Sequence, residues 1–213
     1  MTIKLVIGIP TTGLVSMGFA YSLCGLTSYI AAKGISTRPE SAIEVSLDIQ
    51  ESSVIHTNRE QIVSRCIEKG ATHLMFLDHD MVFEPEIINV MLGRRQPVVV
   101  TNYLIKSAKP EFVAVGMNGN RISTTEESTG LVPILYSGFG VSIIEMEVFK
   151  KTPQPWFLPK FVASANAYTT EDNPCFEAIR EAGFEVYLDQ DASKLITGHV
   201  GLRGWTWKDY KHG

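Results

Sequence analysis

Two carboxylates, Asp78 and Asp80, flank His79 directly after the uninterrupted apolar run Leu74, Met75, Phe76 and Leu77. Such a run, following Gly70, reads as a strand buried on both faces at the centre of a sheet. An ionised carboxylate buried without a partner is strongly disfavoured, so both aspartates are expected beyond the carboxyl end of that strand. In open α/β sheets that edge is where ligands bind. Two carboxylates at i and i+2 there could hold a hard divalent cation, or divide between a cation and a sugar hydroxyl. The plainer alternative is a loop whose aspartates cap the next helix.

Other residues with chemical potential are scattered along the chain. Pro10, Thr11, Thr12 and Gly13 follow a β-rich run from Lys4 and form a loop of small residues that a ligand could approach closely. Arg59 falls in the first turn of a helix capped by Thr57 or Asn58. A cation is unfavourable at a helix amino terminus unless an anion is near, so Arg59 is either solvated or paired with a phosphate or an aspartate. Arg65, on the polar face, reads as solvated. Glu171 and Asp172 open a later helix, where the helix dipole stabilises a carboxylate charge. Gly138 and Gly140 interrupt an apolar strand from Leu135 to Ile144, which marks a bulge or a close approach. His199 lies between Gly198 and Gly201, in what reads as a loop.

The elements that must position these residues alternate. A strand from Lys4 to Pro10 precedes a helix from Val15 to Lys33 that Gly34 stops, and a strand alternates from Ala42 to Ile49. The helix carrying Arg59 has an apolar stripe of Ile62, Val63, Cys66 and Ile67. After Asp80, Glu84, Pro85 and Glu86 start a helix, and Pro97 to Thr101 is a further buried strand. The alternation argues for an α/β fold with a mostly parallel sheet. Residues 106–129 are richer in Gly, Asn, Ser and Thr and read as an excursion with a small hairpin around Phe112 to Val115. Helices are expected at Glu145 to Lys150 and after Asp172, and a strand from Phe184 to Asp189.

Composition narrows the function classes. A length of 213 residues fits one sizeable domain, and a formal charge of −4 gives no sign of a general polyanion binder. Cys24, Cys66 and Cys175 are odd in number, widely spaced and free of any C-x-x-C pattern, which suggests reduced thiols in a cytoplasmic setting. Cys66 and Cys175 read as core. The most apolar stretch, Leu14 to Ala32, is broken by hydroxyl residues, so no membrane span is expected.

Four features stand in order: the strand ending in Asp78, His79 and Asp80; the helix opening with Glu171 and Asp172; the strand Phe184 to Asp189; and Gly198, His199, Val200, Gly201. In that order and at those intervals the chain resembles the nucleotide-sugar-dependent glycosyltransferases of the A-type (GT-A) fold, in particular small members from bacteria and phages. Gly70 to Met81 is similar to that family's strand and D-x-D motif, and Thr170 to Tyr187 to its later acidic helix. The resemblance runs from the first strand to about Gly201. It implies a single GT-A-like domain, with residues 1–104 as the nucleotide-binding half and 105–213 as the acceptor and catalytic half. It also implies Mn2+ or Mg2+ on Asp80 and His199, with Asp78 on the ribose or on the ion's water shell. Pro10, Thr11, Thr12 and Arg59 would contact the nucleoside-diphosphate sugar, and Gly138, Phe139 and Gly140 would wall its sugar. Asp172, then Glu171, would be the general base of an inverting transfer to a hydroxyl on a glycan or a hydroxymethylated DNA base. Trp205, Trp207 and Tyr210, interleaved with Arg203, Lys208, Lys211 and His212, are either an acceptor contact or an ordinary edge. A nucleotidyltransferase is the nearest rival, but Pro10 to Leu14 lacks the basic residue such a loop normally carries. A non-catalytic sugar-nucleotide scaffold is the rival from another class.

Overall fold

Successive residues of the strand before Asp78 serve opposite layers. In the computed structural model, which describes residues 2–35, 42–107, 109–201 and 204–206, Leu74 and Phe76 enter one apolar layer and Met75 and Leu77 the other. All four are fully buried. Period-two alternation with both faces apolar is what a central strand of a two-sided sheet requires.

In chain order the elements are β1 (Ile3–Thr11), α1 (Met17–Lys33), β2 (Ile43–Glu51), α2 (Ile55–Glu68), β3 (His73–Leu77), β4 (Met81–Phe83), α3 (Ile87–Gly93) and β5 (Val98–Val100). Then come β6 (Val115–Gly116), β7 (Leu131–Tyr136), β8 (Val141–Glu145), α4 (Met146–Lys151), β9 (Phe161–Val162), β10 (Ala167–Tyr168) and α5 (Asp172–Glu181). The remainder are β11 (Tyr187–Asp189), α6 (Gln190–Lys194), β12 (Ile196–Val200) and β13 (Gly204–Trp205). The main sheet has the order β2-β1-β3-β8-β5-β11-β7-β6. Its β1–β2, β1–β3 and β5–β11 pairs are parallel, and only β8 and β7 run against the rest. The fold is therefore a single α/β domain with a mostly parallel sheet. Residues from α2, α4 and α5 fill the layer that holds Phe76, and residues from α1, α3 and α6 fill the layer that holds Met75. Among the described residues no helix is long and apolar enough to cross a membrane.

Several elements depart from their sequence reading. The strand expected from Leu135 to Ile144 is two strands, β7 and β8, joined by Ser137 to Gly140 and separated in the sheet by β5 and β11. The helix α2 starts at Ile55, so Thr57 and Asn58 are interior and not caps. Asn58 is buried and donates instead to the Thr11 and Ser52 carbonyls, fastening α2 to the end of β1. Arg65 is not solvated: it donates to Asp48 and Gln50 on the edge strand β2. The excursion's strand is only Val115–Gly116, with Phe112 in an isolated bridge to Leu104. Glu84 to Glu86 form a turn ahead of α3, not its first residues. His199 lies in β12 and not in a loop, paired antiparallel with β4.

The second half is anchored by a buried ion pair. Asp189 is fully buried at the end of β11, accepts Arg94 hydrogen bonds of 2.8 and 2.9 Å, and caps α6 by accepting from the Asp191 and Ala192 amides. Asp191 also pairs with Arg94, so removing Asp189 costs chiefly the α6 cap and two hydrogen bonds. Asp189→Ala is expected to lower unfolding free energy by about 2 kcal/mol in a urea titration.

Candidate active site

The strand register brings the two distant motifs together. In the β4–β12 pair His199 lies opposite Met81, and the Val200 amide donates to the Asp80 carbonyl. His199 Nε2 is thereby 3.6 Å from Asp80 Oδ1. The other ring nitrogen, Nδ1, is 2.8 Å from the Leu104 carbonyl. A carbonyl can only accept, so it assigns the proton to Nδ1 and leaves an Nε2 lone pair facing Asp80 in the neutral ring. Burial pushes this imidazole below its usual value, although the Leu104 carbonyl and Asp80 pull it upward. The Lys106 ammonium contacts Asp80 Oδ2.

Asp78 is held by a different cation. Arg59 is almost completely buried, and its Nη2 donates to both Asp78 oxygens at 2.9 and 3.1 Å. Its Nε is 3.5 Å from Glu171 Oε1. The guanidinium lies 5.3 Å from the Phe76 ring centroid and 5.5 Å from that of Phe139, within cation–π range. Burial opposes its charge, but Asp78, Asp172 and Glu171 together outweigh burial and hold it above its usual range. The partner is thus protein carboxylate: Arg59 supports the site from beneath, where a contact to the donor had been expected. Each Asp78 oxygen accepts one hydrogen bond from Arg59, so this carboxylate is fixed in place by the helix beneath it.

Asp172 is the first residue of α5 and faces a cavity of about 430 Å³ whose wall also includes Tyr103, Lys106, Ser137, Thr170 and His199. Its Oδ1 is out of solvent and has no hydrogen-bond partner among the described residues. The helix dipole was expected to keep this carboxylate ionised. Burial instead raises it to about 8; Arg59 opposes the shift, while Glu171 and Asp78 add to it. A cavity of about 300 Å³ at the opposite end of the sheet, beside Gly70, His73 and Lys150, contains none of these groups.

Pro10 and Thr11 sit at the carboxyl end of β1, beside the acidic turn: His79 Nδ1 is 3.2 Å from the Pro10 carbonyl. The buried Thr11 hydroxyl donates to the Leu14 carbonyl and accepts from the Gly13 amide, which shapes the loop, and Thr12 is exposed. Gly138 and Gly140 have a different neighbour from the one expected. A Cβ at either position would collide with Tyr103, at 2.0 Å from Oη for Gly138 and 2.7 Å from the ring for Gly140. What the missing side chains admit is this phenol, and Phe139 between them is core, stacked 4.3 Å from Phe176. Sequence reasoning missed Tyr103 and Lys106, both on the connection after β5, because nothing in their local pattern distinguishes them from loop residues. Arg203, Trp207, Lys208, Tyr210, Lys211 and His212 lie outside the described residues, as do the side-chain surroundings of Trp205.

A metal fit can be judged from the donors present. Among the described residues no group of three His, Cys, Asp or Glu side chains gathers to hold an ion. Asp80 and His199 form a two-donor set, and their 3.6 Å separation lets both reach one ion at the usual ~2.1 Å bond lengths. That half-shell fits an ion whose other positions come from substrate oxygens and water.

No protein-family model and no curated protein matches the sequence. Solved structures do match the fold. The crystal structure of A197 from STIV aligns with a TM-score of 0.56 at 18% identity, over 88% of this chain and 81% of that one. The catalytic domain of Drosophila beta1,4-galactosyltransferase 7, in complex with xylobiose, aligns at 0.50 and 13% identity over 94% and 71%. GalNAc-T7 with UDP, GalNAc and Mn2+ aligns at 0.50 and 10% identity; the match covers 89% of this chain and only 42% of that longer one. At these identities the likeness is one of fold.

A carboxyl group whose folded pKa is raised from 3.8 to about 8 favours the protonated fold, so it makes stability decline as pH rises between those values. Asp172→Asn removes that decline. Its melting temperature relative to the wild type is expected to climb steadily between pH 5 and pH 8; a constant difference across that range would contradict the buried acid.

Proposed function

We propose that the chain is a metal-dependent glycosyltransferase that moves a sugar from a nucleoside diphosphate to an acceptor hydroxyl. The reading is carried by one observation: Asp80 and His199, distant in the sequence, face each other on the carboxyl edge of the sheet, beside the cavity that Asp172 enters. It is supported by a fold that recurs in two sugar transferases, one crystallised with UDP and Mn2+ and the other with a disaccharide.

Asp80 and His199 would hold the ion, and an imidazole beside a carboxylate favours Mn2+ over Mg2+. When bound, such an ion stabilises the charge that grows on the departing diphosphate. Pro10, Thr11 and Thr12 border the space for base and ribose, with Asp78 fixed by Arg59 at its floor. Gly138, Phe139 and Gly140 contribute through Tyr103, whose ring they seat against the cavity. In the transfer, the acceptor oxygen forms a bond to the anomeric carbon as the bond from that carbon to the diphosphate oxygen breaks. The electron pair leaves with the diphosphate, and the hydroxyl proton passes to Asp172. A base with a pKa of about 8 combines a workable ionised fraction near neutrality with a strong drive to take the proton. Glu171, beside Arg59, is the second candidate. Attack opposite the leaving group inverts the anomeric centre. The acceptor class is a glycan or, on the same chemistry, a hydroxymethylated DNA base. Residues 1–104 carry the nucleotide side and 105–213 the acceptor side, with His199 as the exception that crosses to the ion. The free Cys24, Cys66 and Cys175 are in keeping with a cytoplasmic enzyme.

Calorimetry with uridine, guanosine and cytidine diphosphates plus Mn2+ is expected to pick out one base. Asp80→Ala and His199→Ala should each abolish metal-dependent nucleotide binding. Asp172→Asn should bind normally and lose transfer by about 10²-fold or more. Equal, weak heats for all three nucleotides would remove the proposal, and binding with no donor turnover would make the chain a scaffold. The transfer rate of the wild type is expected to rise with pH up to about 8, as Asp172 ionises.

A further inference from the structure

The geometry points to Lys106 as a resident counter-cation of Asp80, one that a divalent ion must displace before the site can load. This rests on the metal reading of Asp80 and His199 given above. The two oxygens of Asp80 are divided, Oδ1 toward His199 Nε2 and Oδ2 in contact with the Lys106 ammonium. The other aspartate of the motif has its own cation in Arg59, which lies on Asp78 and is not among the Asp80 contacts. Among the described residues, Lys106 therefore supplies the positive charge that Asp80 has in the free protein.

An ammonium and a divalent ion cannot both sit against one carboxylate group without strong mutual repulsion at that distance. Lys106 is built to leave. Its backbone is fixed, because the Ile105 amide donates to the Glu111 carbonyl and the Ser107 amide to the Ile105 carbonyl. Its side chain is a third exposed and borders the same cavity as Asp172 and His199. A flexible four-carbon stem with three donors on a compact charge suits a phosphate oxygen as well as a carboxylate. The natural destination of the displaced ammonium is the diphosphate of the donor, which arrives with the anionic oxygens that complete the ion's shell. Leu104, two residues earlier, orients His199 through its carbonyl. One short connection after β5 thus aims the imidazole at the ion and holds the charge that competes with it. The consequence is coupling: the ion binds weakly alone and tightly with the diphosphate, and each strengthens the other by the same factor.

The test uses the full chain and Mn2+ alone, titrated by calorimetry and by electron paramagnetic resonance of the free ion. Lys106→Met keeps the length of the side chain and removes its charge, and Lys106→Arg keeps the charge. Lys106→Met is expected to bind Mn2+ about tenfold more tightly than the wild type, and Lys106→Arg to stay near the wild type. Inorganic pyrophosphate, with its own Mn2+ binding subtracted, should narrow the difference between Lys106→Met and the wild type, because the anion receives the ammonium. Equal or weaker Mn2+ binding by Lys106→Met, with Asp80→Ala silent, overturns the proposal and leaves the metal reading intact. A difference that pyrophosphate does not narrow also overturns it. Absence of Mn2+ binding in the wild type and in Lys106→Met removes the metal reading itself, and this inference with it.

Discussion

One buried guanidinium sets the electrostatics of the site. Arg59 is out of water, and its charge is tolerable there only because carboxylates surround it. Those carboxylates come from two places, Asp78 after β3 and Glu171 and Asp172 at the start of α5. The residue therefore joins the acidic turn to the opening of a helix far along the chain. It also fixes a charge count: one cation is faced by three acids in a poorly solvated space. Asp78 takes the hydrogen bonds and Glu171 a longer ion pair, while Asp172 Oδ1 has no partner among the described residues. Burial is the larger cause of the raised Asp172 pKa, and its like-charged neighbours add to it.

A second linkage runs through Tyr103. The Gly140 amide donates to its hydroxyl, while the Gly140 carbonyl accepts from the Asp78 amide. Its ring meets the His199 ring edge-on at 5.0 Å. One phenol thereby touches the turn that holds Asp78 in place and the imidazole that faces Asp80. It can do so only because positions 138 and 140 have no Cβ. The link between β7 and β8 is thus shaped by an internal side chain. Phe139 pins that link from the other side by stacking on α5, the helix that carries Asp172.

Local pattern made the sheet legible and left the pairings hidden. The run Leu74 to Leu77 announces a two-sided strand because each residue reports its own burial. The helices α1 and α5 announce themselves by apolar spacing, with Gly34 and Gly183 at their ends. Arg59 could be read only as solvated or as paired with a phosphate or an aspartate, since its partners lie outside any local window. The strand character of His199 was masked by Gly198 and Gly201, which read as loop, while the short strand Met81–Phe83 that recruits it is too brief to signal itself. The division of Leu135 to Ile144 into two strands was similarly invisible: glycines at 138 and 140 suit a bulge within one strand and a link between two strands of the same direction equally well. Arg65 was misread because the polar face of α2 is covered by Asp48 and Gln50 of an edge strand.

The two aspartates of the motif look equivalent in the sequence and are not in the fold, and the difference lies in their cations. Asp78 meets a planar arginine that is buried on a helix, gives one nitrogen to both carboxylate oxygens and has two aromatic rings against it. Such a pair cannot be broken without stranding a charge away from water, so it is permanent. Asp80 meets a lysine on a loop whose side chain is a third exposed, so water can take up the ammonium when the pair opens. That pair is exchangeable. One carboxylate is therefore spent on building the site and the other is kept in reserve for a ligand. A spacing of two residues suffices for this division because β3 ends between the core and the cavity: Asp78 still hangs over the packed layer, and Asp80 has turned out toward β12.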